Sequence, residues 1–159
     1  MTRRNFTGVC AAALIAIALP AGAFAAKPNY SGSWKINTSK SDFGPMPGPE
    51  KMERTITHED PTIKWTQTQG GPNGDVTTEM AYTTDGKPST NKTPRGELTG
   101  IAKWDGDVLT ITTKREVQGM EITQSERWQL SEDGKTLTMT AKINTPNGDF
   151  QVKLVMDKQ

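Results

Sequence analysis

From Lys27 onward apolar and polar side chains alternate with a period of two, and no stretch sustains a helical period. Such alternation puts successive side chains on opposite faces of an extended chain, so each run predicts a strand with one apolar face. The runs cover 30–37 (Trp34 and Ile36 on one face), 51–58 (Met52, Arg54, Ile56, His58), 62–69 (Ile63, Trp65, Gln67) and 76–84 (Thr78, Met80, Tyr82). They continue over 96–104 (Leu98 with Ala102 or Ile101), 108–114 (Leu109, Ile111) and 120–130 (Met120, Ile122, Gln124, Glu126, Trp128, Leu130). The last two are 136–143 (Leu137, Met139, Ala141, Ile143) and 150–156 (Phe150, Val152, Leu154, Met156).

Turn signals separate the runs: Asp85-Gly86, Asp105-Gly106, Asp133-Gly134 and Asn147-Gly148, with the cluster Gly70-Gly71-Pro72-Asn73-Gly74-Asp75. Asn, Asp and Gly tolerate the positive φ of two-residue hairpins, so successive strands are expected to be antiparallel neighbours. An open meander of this size would leave two bare edges. The expected fold is therefore all-β, a closed antiparallel up-and-down barrel of about eight to ten strands. One segment breaks the pattern. Residues 38–50 hold Pro45, Pro47 and Pro49, which cannot donate to a ladder. They form either a loop crossing one barrel end, with Phe43 and Met46 tucked over the core, or a surface linker.

The N-terminus changes the picture. Arg3 and Arg4 precede the apolar run 9–19, and Ala23-Phe24-Ala25 offers small residues for a peptidase. That order predicts a cleaved secretory signal peptide over 1–26, cut after Ala25 or Ala26, with one barrel domain over 27–159. The run is too short for the roughly 20 residues that span a bilayer. Export to the periplasm of a Gram-negative-type envelope, or secretion, follows. The single cysteine, Cys10, lies at the start of the apolar run, so the mature chain has no thiol for a disulfide, for catalysis or for a metal. The 19 basic and 18 acidic residues become one acid in excess once Arg3 and Arg4 are lost, which favours neither nucleic acid nor an anionic membrane. At 33% hydrophobic residues overall, the core is thin, as suits a sheet wrapped around a cavity.

The stretch Tyr30-Ser31-Gly32-Ser33-Trp34-Lys35-Ile36 looks like the Gly-x-Trp strand that opens the barrels of the calycin superfamily, lipocalins and fatty-acid-binding proteins. Lys103-Trp104-Asp105-Gly106-Asp107-Val108-Leu109-Thr110-Ile111 is similar to a mid-barrel strand-turn-strand of the fatty-acid-binding branch. With Glu132 to Leu137 and the closing Val155 to Lys158, the resemblance spans most of the mature chain and is nearest to small exported lipocalin-like bacterial proteins. It implies a calycin-type barrel with Trp34 as a structural plug of the closed end. Two departures stand out. Only the Pro/Gly loop occupies the place of the helical portal of the fatty-acid-binding branch, and Leu154 and Met156 stand where that branch carries a carboxylate-gripping Arg-x-Tyr pair.

No catalytic constellation is present. His58 is the single histidine, and its neighbours Glu59 and Asp60 cannot both converge on it from one strand. A hydrogen-bonded barrel-end histidine is the main reading, with haem ligation a minor one. There is no Gly-x-Ser-x-Gly elbow, no phosphate-cradling loop and no metal spacing. Each Asp-Gly pair has too few oxygens for calcium. Neither a cofactor nor an enzymatic activity is expected. The candidate ligand-binding residues, lining a cavity or the barrel mouth, are Trp65, Tyr82, Trp128, Met80, Arg54 and His58. Arg54 shares a face with Ile56, which makes it the better candidate among the strand charges for an interior one, but a sheet-surface ion pair is the main reading. Non-enzymatic periplasmic binding of a small, largely apolar ligand is the leading expectation. The alternative is a filled barrel acting by its surface as an envelope inhibitor or protein-interaction module.

Overall fold

A computed structural model describes residues 26–72 and 74–159. The expected signal peptide, except Ala26, and the turn residue Asn73 lie outside the described residues. Ten strands follow in order: β1 Gly32–Ile36, β2 Lys51–Glu59, β3 Thr62–Gly70, β4 Val76–Thr83, β5 Asp85–Thr93, β6 Gly96–Asp105, β7 Val108–Val117, β8 Met120–Leu130, β9 Thr136–Thr145 and β10 Gly148–Lys158. They form one antiparallel sheet in the order β4-β3-β2-β1-β10-β9-β8-β7-β6-β5. The first and last strands pair, Trp34 with Lys158 and Ile36 with Met156, so the sheet curls round until β4 meets β5. Between β4 and β5 there is no ladder. The barrel is nearly closed rather than closed, and the expectation that every successive pair would be laddered fails at this one seam.

β5 is also the strand that alternation missed. Its sequence, DGKPSTNKT, carries no apolar alternation, and Asp85-Gly86 lies inside the strand rather than forming a hairpin turn. A register shift between Asp85 and Pro88 gives the edge strand room for its proline. The other hairpins follow their turn chemistry. Gly106 and Gly134 take φ of +61° and +68°. β7 and β8 are joined by Gln118-Gly119, both at positive φ, a conformation in which Gln118 is the lone non-glycine among the described residues. Thr93-Pro94-Arg95-Gly96 and Thr145-Pro146-Asn147-Gly148 are one turn used twice. In each the threonine hydroxyl donates to the glycine carbonyl at 2.7 Å and accepts the amide before that glycine at 3.2 Å.

One end of the barrel is filled. Tyr30, Trp34, Ile63, Leu109, Trp128, Leu137 and Met156 are fully or almost fully buried, each aliphatic side chain contributing about 1.5–3 kcal/mol. The alternation holds inside β6, where Ala102 faces the core and Ile101 is 39% exposed. The segment after β1 continues along the edge of β10. Asn37 N–H donates to the Val155 carbonyl at 2.8 Å, and Asp42 and Lys153 exchange both main-chain bonds at 2.7 Å. Phe43 is half-buried, but Met46 is 43% exposed, so the tucked position expected for Met46 does not occur. The loop runs along the edge of β10, passes beside Phe150 and Val152 at Gly44, and contains no helix.

Candidate functional site

β2 and β3 turn at Asp60-Pro61 on the filled end, and Lys51 faces Gly70 at the other. At that second end lies a cavity of about 550 Å³, bordered by the β3–β4 turn at Gly70-Gly71-Pro72 and the β5–β6 turn at Pro94-Arg95. Its size falls in the range of small-molecule sites. Arg54, Trp65, Gln67, Met80, Leu98, Arg115 and Glu126 form the wall. A smaller space of about 70 Å³, enough for ordered water, continues below it between Trp65, Tyr82, Ile111 and Gln124.

Period two explains why these residues meet. Arg54 faces Gln67 across β2 and β3, and Trp65 faces Met80 across β3 and β4. Glu126 faces Ile111 on β7 and Ala141 on β9, one place along from Trp128. Arg54 as a residue is 7% exposed. Its Nε donates to Gln67 Oε1 at 3.0 Å, its Nη2 bonds the same oxygen, and its Nη1 points at Met139 Sδ at 3.0 Å. The charge also lies over the Trp65 and Trp128 rings, 5.2 and 5.0 Å from their centroids. No carboxylate among the described residues comes within ion-pair distance of it. Burial lowers its pKa, and the field of Glu126 acts against that shift. The surface ion pair considered for Arg54 is thus replaced by an interior charge. Arg127, the neighbour of Glu126 on the outer face, makes the surface pair instead, with Asp105 at 2.9 Å.

Glu126 accepts the Trp128 indole N–H at 2.7 Å and a Gln124 amide N–H at 2.5 Å. The Tyr82 hydroxyl is buried without a hydrogen-bond partner, and burial raises its pKa. Trp65 stacks on Tyr82 at 5.4 Å and tilts against Trp128 at 5.0 Å. Nearer the mouth, burial and the charge of Arg95 lower the pKa of Arg115. The wall is amphipathic, an aromatic and thioether floor under a set of fixed donors and acceptors.

Of the candidate residues, Arg54, Trp65 and Met80 border the large cavity, Tyr82 borders the small space, and Trp128 lies beneath Arg54. His58 and Trp34 are elsewhere, in the filled end. The His58 ring stacks on Tyr30 at 5.6 Å and tilts against Trp104 at 5.8 Å. Its Nδ1 accepts the Tyr30 N–H at 3.3 Å, and its Nε2 lies 3.7 Å from Asp60. Asp60 also accepts from Trp104 Nε1 at 3.0 Å and from the Thr84 hydroxyl at 2.5 Å. Burial depresses the His58 pKa, and the Thr84 bond leads the causes that depress that of Asp60. The Trp34 indole donates to the Tyr30 carbonyl at 2.9 Å, and the Tyr30 hydroxyl to the Trp128 carbonyl at 2.9 Å.

Gln67, Glu126, Leu98 and Arg115 complete the wall without having been singled out as ligand-binding residues. The signal for Gln67 and Glu126 was their place on the apolar face of their strands. Arg115 required carrying the β7 alternation Leu109, Ile111, Thr113 beyond Lys114. Among the described residues no group of three or more His, Cys, Asp or Glu could hold a metal ion.

No protein-family model and no curated protein sequence matches the chain. Solved structures do. A secretory abundant heat soluble protein of Ramazzottius varieornatus is 16% identical with a TM-score of 0.61, over 86% of this chain and 98% of its own. The zebrafish ileal bile-acid-binding protein, complexed with cholic acid, is 20% identical with a TM-score of 0.54, over 82% and 98%. The Schistosoma mansoni fatty-acid-binding protein, in complex with arachidonic acid, is 11% identical with a TM-score of 0.51, over 82% and 96%. These likenesses place the chain in the calycin-like β-barrel fold.

Proposed function

We propose that the protein binds a small amphipathic molecule, largely apolar with a polar group, in the lumen of its barrel and releases it unchanged. The observation that carries this reading is the cavity of about 550 Å³ walled by Trp65, Met80 and the buried, unpaired Arg54. A filled barrel acting by its surface has no use for that space, or for a guanidinium held in it without an acid. Among barrels of this fold, the zebrafish and Schistosoma proteins hold cholic acid and arachidonic acid, molecules of the same amphipathic character.

Export belongs to the same proposal. Arg3, Arg4 and the apolar run before Ala23-Phe24-Ala25 direct the precursor across the inner membrane. The mature protein then works in the periplasm or outside the cell, in the manner of small exported lipocalin-like bacterial proteins. N-terminal sequencing of the protein recovered from a periplasmic fraction should begin at Ala26 or Lys27, and an intact Met1 would refute export.

Titration with 1-anilinonaphthalene-8-sulfonate tests the binding. A saturable rise in emission is expected at one equivalent, with affinity at least about tenfold weaker in Trp65→Ala, a change of about 1.4 kcal/mol. No saturable binding to the wild type would sink the lumenal reading. Native mass spectrometry of protein from its own periplasm would then identify the natural ligand class.

A further inference from the structure

We infer that the ligand enters and leaves through the seam between β4 and β5, and that the Asn91 side chain is the latch holding this seam together. The inference rests on the lumenal binding proposed above and names its route.

The seam is the one place in the ten-stranded sheet where neighbouring edges have no main-chain ladder. A side chain substitutes for it. Asn91 Oδ1 accepts the Ala81 N–H at 2.7 Å, and Asn91 Nδ2 donates to the Ala81 carbonyl at 3.1 Å. A carboxamide carries the donor and acceptor of a peptide group, so Asn91 reproduces from its side chain the bond pair that two facing strand residues exchange. The residue is 8% exposed, which protects this pair from water.

The wall at the seam is thin. A groove of about 540 Å³ runs along its outer side past Thr66, Glu79, Ala81 and Asn91, and it also touches Trp65 and Met80. Those same two residues line the lumenal cavity, so a single layer of side chains divides groove from lumen. Met80 is unbranched and adapts to a passing molecule. β5 offers little resistance to movement. Pro88 is its one nonpolar side chain, its register is broken between Asp85 and Pro88, and its ladder runs to β6 alone. Strands with few apolar contacts open at low free energy. The turns at Gly70-Gly71-Pro72 and Pro94-Arg95 flank both the cavity mouth and the upper seam, so parting β4 from β5 also widens the mouth.

Stopped-flow mixing with 1-anilinonaphthalene-8-sulfonate, together with hydrogen exchange at the Ala81 amide, tests the latch in wild type, Asn91→Ala and Asn91→Asp. Asn91→Asp keeps an acceptor for the Ala81 N–H and loses the donor to its carbonyl. In Asn91→Ala, association and dissociation rates should both rise by about threefold or more while Kd stays within about twofold, because a gate changes the barrier and not the bound state. Ala81 exchange should accelerate at least about tenfold. Asn91→Asp should fall between, and it carries the test alone if Asn91→Ala does not fold. Unchanged rates beside an Ala81 amide that has lost protection would overturn the route while leaving lumenal binding intact. An Ala81 amide that stays protected would overturn the latch. Failure of the wild type to bind the probe would instead defeat the binding function, and the route with it.

Discussion

Arg54 and His58 began as two polar residues on the inward face of one strand, and their surroundings gave them opposite roles. Arg54 is a buried cation held by one glutamine, one thioether and two indole faces, with no acid at ion-pair distance. A buried charge with no acid beside it carries a desolvation cost that an apolar side chain of similar length does not. Arg54→Met should therefore keep or raise the thermal midpoint, by up to about 1 kcal/mol of stability, while weakening binding of an anionic amphiphile relative to a neutral one. A lower midpoint with undiminished preference for the anionic probe would contradict that role.

His58 is buried as a neutral acceptor. Its folded-state pKa is depressed by burial, so the unfolded chain takes up the proton first as pH falls. Its stabilising contribution is complete above about pH 6.5 and is lost progressively below it, with a slope of at most about 1.4 kcal/mol per pH unit. Asp60, whose pKa is lowered first by the Thr84 hydroxyl, contributes above about pH 3.8 and does not cancel this slope between pH 5 and 6.5. Urea midpoints between pH 7 and 5 should fall in the wild type and lie flatter in His58→Gln. Equal slopes in the two proteins would remove His58 from the account.

At the scale of the strand, β5 shows what alternation can and cannot report. A strand is legible when one face is apolar, and the inward positions of β5 present Asn91 rather than a hydrophobe. Its function as an edge is to bond, and that requires polar groups. The gap left by such a strand is filled from β4. The Tyr82 ring reaches past β5 to Gly100 of β6, where a Cβ would stand 2.9 Å from Tyr82 Cε1, 2.8 Å from Thr113 Cγ2 and 3.0 Å from the Thr112 carbonyl. Gly100→Ala should then cost about 1–3 kcal/mol of overpacking, read as a lower denaturant midpoint at unchanged m-value. A wild-type midpoint would show that β4 and β6 do not need this contact. Hydrogen exchange should also rank the strands, with β5 amides fastest and those of β9, laddered on both sides, slowest. Protection of β5 equal to that of β9 would contradict the weak-edge description.

At the scale of the molecule, one sheet makes the described barrel a cooperative unit, because its first and last strands, β1 and β10, pair with each other. The sequence alone determined the strand character, most of the hairpins and most of the inward residues of every strand except β5. Those are local consequences of period-two burial and of turn residues that accept positive φ. It also placed Arg54, Gln67 and Glu126 on the apolar faces of their strands, but it favoured a surface ion pair for Arg54 and ended the β7 run one residue short of Arg115. Only the tertiary structure decided which of these faces meet. Curling the sheet brings the inward residues of β2, β3 and β8 around one space, sends His58 to the packed end, and leaves β4 and β5 facing each other across a side-chain bond. Closure depends on the accumulated twist and stagger of ten strands, a property that no single strand carries.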